Sequence, residues 1–239
     1  MPRLAKWIGD FMETVMDSKM PKFEVVNIIS ISTNLKKLTF RGDLTGGDFQ
    51  PGCAVIIRVN DTDYRNYTPC NVDVQKGIFD ILFYLHGNAP GTNFVEKLRL
   101  GDEIRISSPR GHRYYDPSVK KFVMFGDETS LGLAISLQQL MKMNKKDYQF
   151  YFELDTANLN LPELLSLEHA TILHKRNKVD ITHWLDQFPK NHDSGWIAAN
   201  FILTGNVTSI QILRKHLKNE GITGKLSTQG YWLEGKRGL

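Results

Sequence analysis

Residues 122–143 read FVMFGDETSLGLAISLQQLMKM. Phe122–Phe125 is a short apolar run of strand type, Gly126-Asp127-Glu128-Thr129-Ser130 a polar turn, and Leu131–Met143 a helix. A strand that turns directly into a helix opens a βαβ unit. The alternation continues downstream. Tyr148–Leu154 and Thr171–His174 read as strands, Ile181–Phe188 as a short helix and Trp196–Leu203 as a strand. Thr208–Leu217 reads as a helix, and Gly230–Trp232 ends a last strand. Such an order predicts an open parallel sheet.

Upstream the pattern is different. Phe23–Ser32, Leu35–Arg41, Ala54–Val59, Ile78–His86 and Glu103–Ser107 read as strands, separated by turns such as Gly42-Asp43 and Asn60-Asp61. One short helix, Thr92–Leu98, follows Pro90-Gly91. Closely spaced strands of this kind predict a small antiparallel barrel. Leu4, Trp7, Ile8, Phe11, Met12 and Val15 give residues 3–17 an amphipathic helical spacing, with both charge signs on the polar face. The expected fold is therefore a two-domain β + α/β protein. It has an N-terminal helix over 1–20, an antiparallel β-barrel over 21–115 and an open parallel-sheet domain over 116–239. The boundary falls in Ser108–Asp116.

The bulk properties narrow the function. In 239 residues, 41% are apolar, enough for real cores, yet no window offers about 18 consecutive apolar residues, so no membrane span is expected. No signal-peptide pattern opens the chain, and Cys53 and Cys70 make neither a disulfide framework nor a CxxC pair. A cytoplasmic location with reduced thiols is expected, and a monomer. The net charge of +4 is too small and dispersed for nucleic-acid binding. His86, His112, His169, His174, His183, His192 and His216 form no i,i+4 pair and have no cysteine partner, so no metal site is expected.

Four stretches carry candidate chemistry. In Arg65-Asn66-Tyr67-Thr68, at a strand end, Arg65 and Tyr67 share one face. A guanidinium, a phenol ring and a hydroxyl suit a ligand with a diphosphate and a flat heteroaromatic ring. Leu85-His86-Gly87 and Ala89-Pro90-Gly91-Thr92 lead a strand into a helix N-terminus, where free N–H groups bind phosphate. Thr92 would cap that helix or donate to a phosphate. Gly126–Ser130 stands where α/β sheets bind nucleotides, but it lacks GxGxxG, and Asp127 and Glu128 oppose a bound pyrophosphate. Gly230-Tyr231-Trp232 is an aromatic tail suited either to core packing or to covering a ring.

Taken in this order, the motifs resemble the siderophore-interacting protein family of ferric-siderophore reductases, over Lys22 to Gly235. Gly-Asp-Glu-Thr at 126–129 is the most specific piece, Gly-Tyr-Trp at 230–232 the next, and Arg-x-Tyr-Thr is shared with the wider ferredoxin-reductase superfamily. The resemblance implies an FAD-binding barrel followed by a nicotinamide-nucleotide domain. It implies Arg65 on the FAD diphosphate, Tyr67 on the isoalloxazine and ribityl, and Thr68 at the flavin edge. His86, Gly91 and Thr92 would line the diphosphate pocket, Thr129 would face the flavin–nicotinamide junction, and Tyr231 and Trp232 would lie near the ring. Three positions depart from the family: Cys70 stands where a second Arg is usual, Thr204-Gly205-Asn206 replaces small-Gly-Glu, and Phe201 replaces a Trp.

The implied activity is one-electron reduction of siderophore-bound Fe(III), with NADH, NADPH or reduced ferredoxin as donor. No catalytic acid, base or nucleophile is required, because the flavin transfers the electrons. Asp155 could bind a ribose hydroxyl and Lys175-Arg176 a 2′-phosphate, so the donor stays open. A basic segment holding Lys225, Lys236 and Arg237 is the expected rim for an anionic ferric siderophore. The alternatives are a siderophore-binding flavoprotein without turnover and a general flavin reductase or electron-transfer protein.

Overall fold

The computed structural model describes residues 20–111, 114–175, 181, 184, 188 and 194–236. The expected helices over 3–17 and, in most of its length, 181–188 lie outside these residues, as do His112, Arg176 and Arg237. The chain divides into two compact units, one ending at Arg113 and one beginning at Tyr114.

The first unit is built from β1 (Lys22–Ser32), β2 (Leu35–Arg41), β3 (Cys53–Arg58), β4 (Tyr64–Tyr67), β5 (Pro69–Asp73), β6 (Ile78–Tyr84), α1 (Pro90–Lys97), β7 (Glu103–Arg105) and β8 (Arg110–Gly111). One antiparallel sheet has the order β5-β6-β2-β1-β7 and a second β4-β3-β8. A bridge between Ile57 and Ile106 joins them on one side, and β4 runs into β5 through Thr68 on the other. The sheets thus wrap one core. Strand alternation decides its content: Phe79, Ile81 and Phe83 of β6 are buried together with Leu38 and Phe40 of β2. The ring of Phe79 stacks on Phe40 at 5.6 Å and meets Phe23 edge-on at 5.3 Å. Asp80, between two core residues, takes hydrogen bonds from Thr39 and Asn71 instead.

The second unit holds β9 (Lys121–Gly126), α2 (Leu131–Met143), β10 (Asp147–Leu154), α3 (Leu161–Leu164), β11 (Ala170–His174), β12 (Asn200–Asn206), α4 (Val207–Asn219) and β13 (Leu226–Trp232). The five strands are parallel, in the order β11-β10-β9-β12-β13. From β9 the chain steps outward to β10 and β11, then returns to the other side for β12 and β13. The direction of winding therefore reverses between β9 and β12, the topological switch point at which α/β sheets bind ligands.

Several elements differ from the sequence expectation. The stretch around Arg65 is two strands, β4 and β5, meeting at Thr68. The two-residue β8 is too short to show alternation. Trp196 belongs to a 3₁₀ turn, so β12 begins at Asn200. Strand β13 starts at Leu226, earlier than its aromatic end suggested, because every residue of this edge strand is half-buried and no apolar period marks it.

Candidate functional site

In the barrel unit the site begins at β4. Tyr67 packs its ring on Phe83 at 4.6 Å and is half-buried. Burial raises its phenol pKa and Arg65 pulls it down, with burial winning, so the group stays neutral. The Arg65 guanidinium donates to the Tyr64 carbonyl at 2.8 Å and stands 3.7 Å from Asp63. It is held in place while a quarter of its side chain stays open, at 24%.

Tyr67 joins this strand to α1. A Cβ on Gly91 would come within 2.6 Å of the Tyr67 hydroxyl, so position 91 accepts no side chain without displacing the phenol. The Thr92 hydroxyl accepts the His86 backbone N–H at 3.2 Å and ties the end of β6 to the first helical turn. This corrects the expected cap. The helix starts at Pro90, Ala89 is its N-cap without a side-chain hydrogen bond, and Thr92 is the third helical residue. Asn93 N–H returns to Ala89 at 3.0 Å, which leaves Gly91 and Thr92 as N–H donors with no acceptor within the helix. No acidic residue stands in that turn. Such an end favours phosphate. Cys70 is fully buried, and burial together with Asp80 pushes its thiol up to about 12, so it brings no charge.

The α/β unit presents the opposite arrangement. Asp127 follows β9 and caps the 3₁₀ turn Glu128–Ser130, taking the Thr129 N–H at 2.9 Å and also its hydroxyl. Its other oxygen accepts the Trp232 indole N–H at 2.7 Å. Asp127 is 1% exposed, and burial raises its pKa against these hydrogen bonds. Room for the carboxylate comes from Gly205, at φ +99°, where a Cβ would lie 2.4 Å from Asp127 Oδ2.

Glu128 is buried as well. It accepts from the Asp155 backbone N–H and Asn158, each at 2.8 Å, and pairs with Lys175 at 2.9 Å. Lys175 also stands 3.3 Å from Asp155 and lies 5.1 Å over the Trp232 ring. Burial disfavours its ammonium, but Glu128, Asp127 and Asp155 together outweigh burial and hold the pKa above the ordinary lysine value. Asp155 and Lys175 are thus engaged with each other and with Glu128. The sequence marked each of these residues singly; the network through Asn158 and Gly205 had no signal beyond position. Glu153, buried beside this group and bonded to Ser209 at 2.6 Å, has its pKa raised by burial. A hydrogen bond joins Tyr231 to Tyr114, whose phenol burial pushes up to about 12. Lys225 and Lys236 are exposed.

Comparison with known proteins agrees with this layout. Residues 55–113 match the family described as "Siderophore-interacting FAD-binding domain". The NADH-cytochrome b5 reductase 1 of Dictyostelium discoideum is 24% identical over 179 residues, 70% of this chain and 62% of that protein. The siderophore-interacting protein SipS from Aeromonas hydrophila superposes with a TM-score of 0.72 at 18% identity, covering 92% of this chain and 93% of SipS. A siderophore utilization protein from T. fusca gives 0.70 at 21% identity, covering 92% and 95%. Residues 55–113 thus match a siderophore-interacting FAD-binding domain, and the chain has a two-domain, ferredoxin-reductase-like fold. The matched stretch contains Arg65, Tyr67, Thr68, His86, Gly91 and Thr92, and no helix among the described residues is long and apolar enough to cross a membrane.

Proposed function

We propose that the protein is an FAD-dependent reductase of ferric siderophores. The observation that carries this reading is that the matched domain contains the Tyr67–Gly91 contact, which sets a strand-end Arg and Tyr beside an open helix start. The residues suit an FAD. Arg65 offers a partly open guanidinium to the diphosphate, and the Gly91 and Thr92 amides point to the same kind of group. Tyr67 supplies a neutral ring for the flavin and Thr68 a hydroxyl at its edge, while His86 holds the pocket wall through its link to Thr92. Bound FAD supplies the conversion of a two-electron donor's hydride into single electrons. On the α/β side, Thr129, Tyr231 and Trp232 are proposed as cofactor-binding residues, for the flavin and its NADH or NADPH donor.

A siderophore holds Fe(III) through hard oxygen donors and holds the softer Fe(II) far less well, so one electron suffices for release. Chain residues have only to bind and orient, which is why no nucleophile or general acid is needed. Exposed Lys225 and Lys236, with Arg237, would concentrate an anionic complex. The reading places the protein in a reducing cytoplasm, in keeping with two buried free thiols.

Anaerobic stopped-flow tests this. The purified protein should be yellow, a dihydronicotinamide should bleach the flavin, and ferric siderophores should restore its colour. A yellow protein whose reduced flavin no ferric siderophore reoxidises would instead be a siderophore carrier or a general electron-transfer protein.

A further inference from the structure

The switch point of the parallel sheet is the crevice in which an α/β domain ordinarily receives a dinucleotide's phosphates. Here its own side chains fill it. Asp127 descends from the end of β9 against Gly205 of β12, with so little room that a Cβ at 205 would lie 2.4 Å from the carboxylate. Trp232 reaches in from the end of β13 and donates its indole N–H to the same carboxylate at 2.7 Å. Lys175 comes from the far edge, past β11, and lies 5.1 Å over the indole. With strands about 4.8 Å apart, the ends of β11 and β13 are roughly 19 Å from each other, so these side chains bridge the carboxyl edge of the whole sheet.

Charge works against phosphate too, through the Glu128 and Asp155 carboxylates that hold Lys175. Asp127, Glu128, Glu153 and Asp155 surround this edge, and Lys175 is the cation set among them. Its ammonium is already shared by Glu128 at 2.9 Å and Asp155 at 3.3 Å. A diphosphate would bring further negative charge up against carboxylates that already share the Lys175 ammonium. The ring of Trp232, by contrast, is an uncharged half-buried surface.

We infer that Asp127 and Trp232 permanently occupy the dinucleotide crevice, and that the electron donor is recognised through its dihydronicotinamide mononucleotide half alone. The adenosine half contributes no affinity, and the 2′-phosphate that separates NADPH from NADH is not read. This rests on the proposed function only in taking a dihydronicotinamide as donor. The donor gives up a hydride, two electrons and a proton, to the FAD and is left as the pyridinium.

The test uses the FAD-loaded full chain. Anaerobic flavin bleaching is followed with NADH, NADPH and reduced nicotinamide mononucleotide, and calorimetry measures the binding of ADP-ribose and 2′-phospho-ADP-ribose. The three donors should agree in kcat/KM within about threefold, and neither ADP-ribose should bind below millimolar concentration. The double substitution Trp232→Ala with Asp127→Asn, checked for flavin content, should gain about tenfold or more in ADP-ribose affinity. A dinucleotide that beats the mononucleotide by about tenfold overturns the inference, as does an ADP-ribose Kd below about 100 µM in the wild type. So does a double variant that folds and gains nothing. Neither measurement involves iron, so failure of siderophore reduction leaves the inference standing. If no dihydronicotinamide bleaches the flavin, the donor assignment falls and the inference with it.

Discussion

Helices α1 and α2 each follow a strand, and they begin in opposite ways. Helix α1 follows β6 with Ala89 as an N-cap that makes no side-chain hydrogen bond, Pro90 at its first position and no acid in its first turn. The start of α2 follows β9 behind Asp127, whose carboxylate takes the Thr129 amide, and Glu128, which is buried against Lys175. The backbone context is similar and the electrostatics are reversed. One end leaves its amides and partial positive charge to a ligand, while the other spends them on the chain's own carboxylate. Position at the end of a strand thus marks a candidate site, but what already satisfies the amides determines whether phosphate is welcome.

The largest expected effect tests the closed start. Lys175→Met would leave Glu128, 2% exposed, without its ion partner. Breaking such a pair should cost about 3–5 kcal/mol in urea unfolding, and adding Glu128→Gln should recover part of it. A loss under about 1 kcal/mol would mean that Glu128 finds water or another donor.

The open start is tested next. Arg65→Ala should weaken FAD binding by about 1.5–3 kcal/mol, the worth of a charge-assisted contact. The variant should fold, by circular dichroism, and purify paler. Full flavin occupancy would remove Arg65 from the site.

A third substitution makes the open start resemble the closed one. Ala89→Asp supplies α1 with a capping carboxylate, which should stabilise the helix by about 0.5–2 kcal/mol. The same charge should lower FAD affinity. If the melting temperature and flavin affinity rise together, the diphosphate does not lie at this helix end.

The smallest effect concerns the Asp127 charge. Asparagine has one acceptor oxygen, so it keeps the cap to Thr129 but turns its NH2 towards the Trp232 N–H and loses that hydrogen bond. Burial holds the Asp127 pKa above its unfolded value, so the folded state binds the proton more readily than the unfolded one. The cost of the charged form is therefore absent below the unfolded pKa, about 3.9, and grows as pH rises above it. Any stability deficit of Asp127→Asn against wild type should therefore be smallest at neutral pH and grow on acidification. Melting temperatures across this pH range check the sign, and a deficit that shrinks towards acid would show that the Asp127 pKa is lowered instead.

Much of this layout was legible in the amino-acid order. Helix α2 matches the apolar run from Leu131 to Met143, buried on every side over Leu131–Gln138, and β2 runs from Leu35 to Arg41 as read, where burial on one face imposes a period. Arg65, Tyr67 and Thr68 stood out as a strand-end group, and Asp127 and Glu128 as acids at a helix start. Strand β13 was read only from its aromatic end, since residues 226–229 are polar or edge-placed and show no alternation.

The amino-acid sequence by itself determined the two kinds of sheet, the helix starts and the residue types available at each, because these depend on local propensity and on the spacing of apolar side chains. Only the tertiary structure decided which partners those residues found. Trp232 meets Asp127 across 105 positions of chain, and Lys175 reaches Glu128 across 47. Those contacts depend on strand order, on the missing Cβ at Gly205 and on which carboxylates burial forces to seek a donor. No local pattern encodes them, because hydrogen bonding and desolvation act between whatever groups the fold brings within about 3 Å.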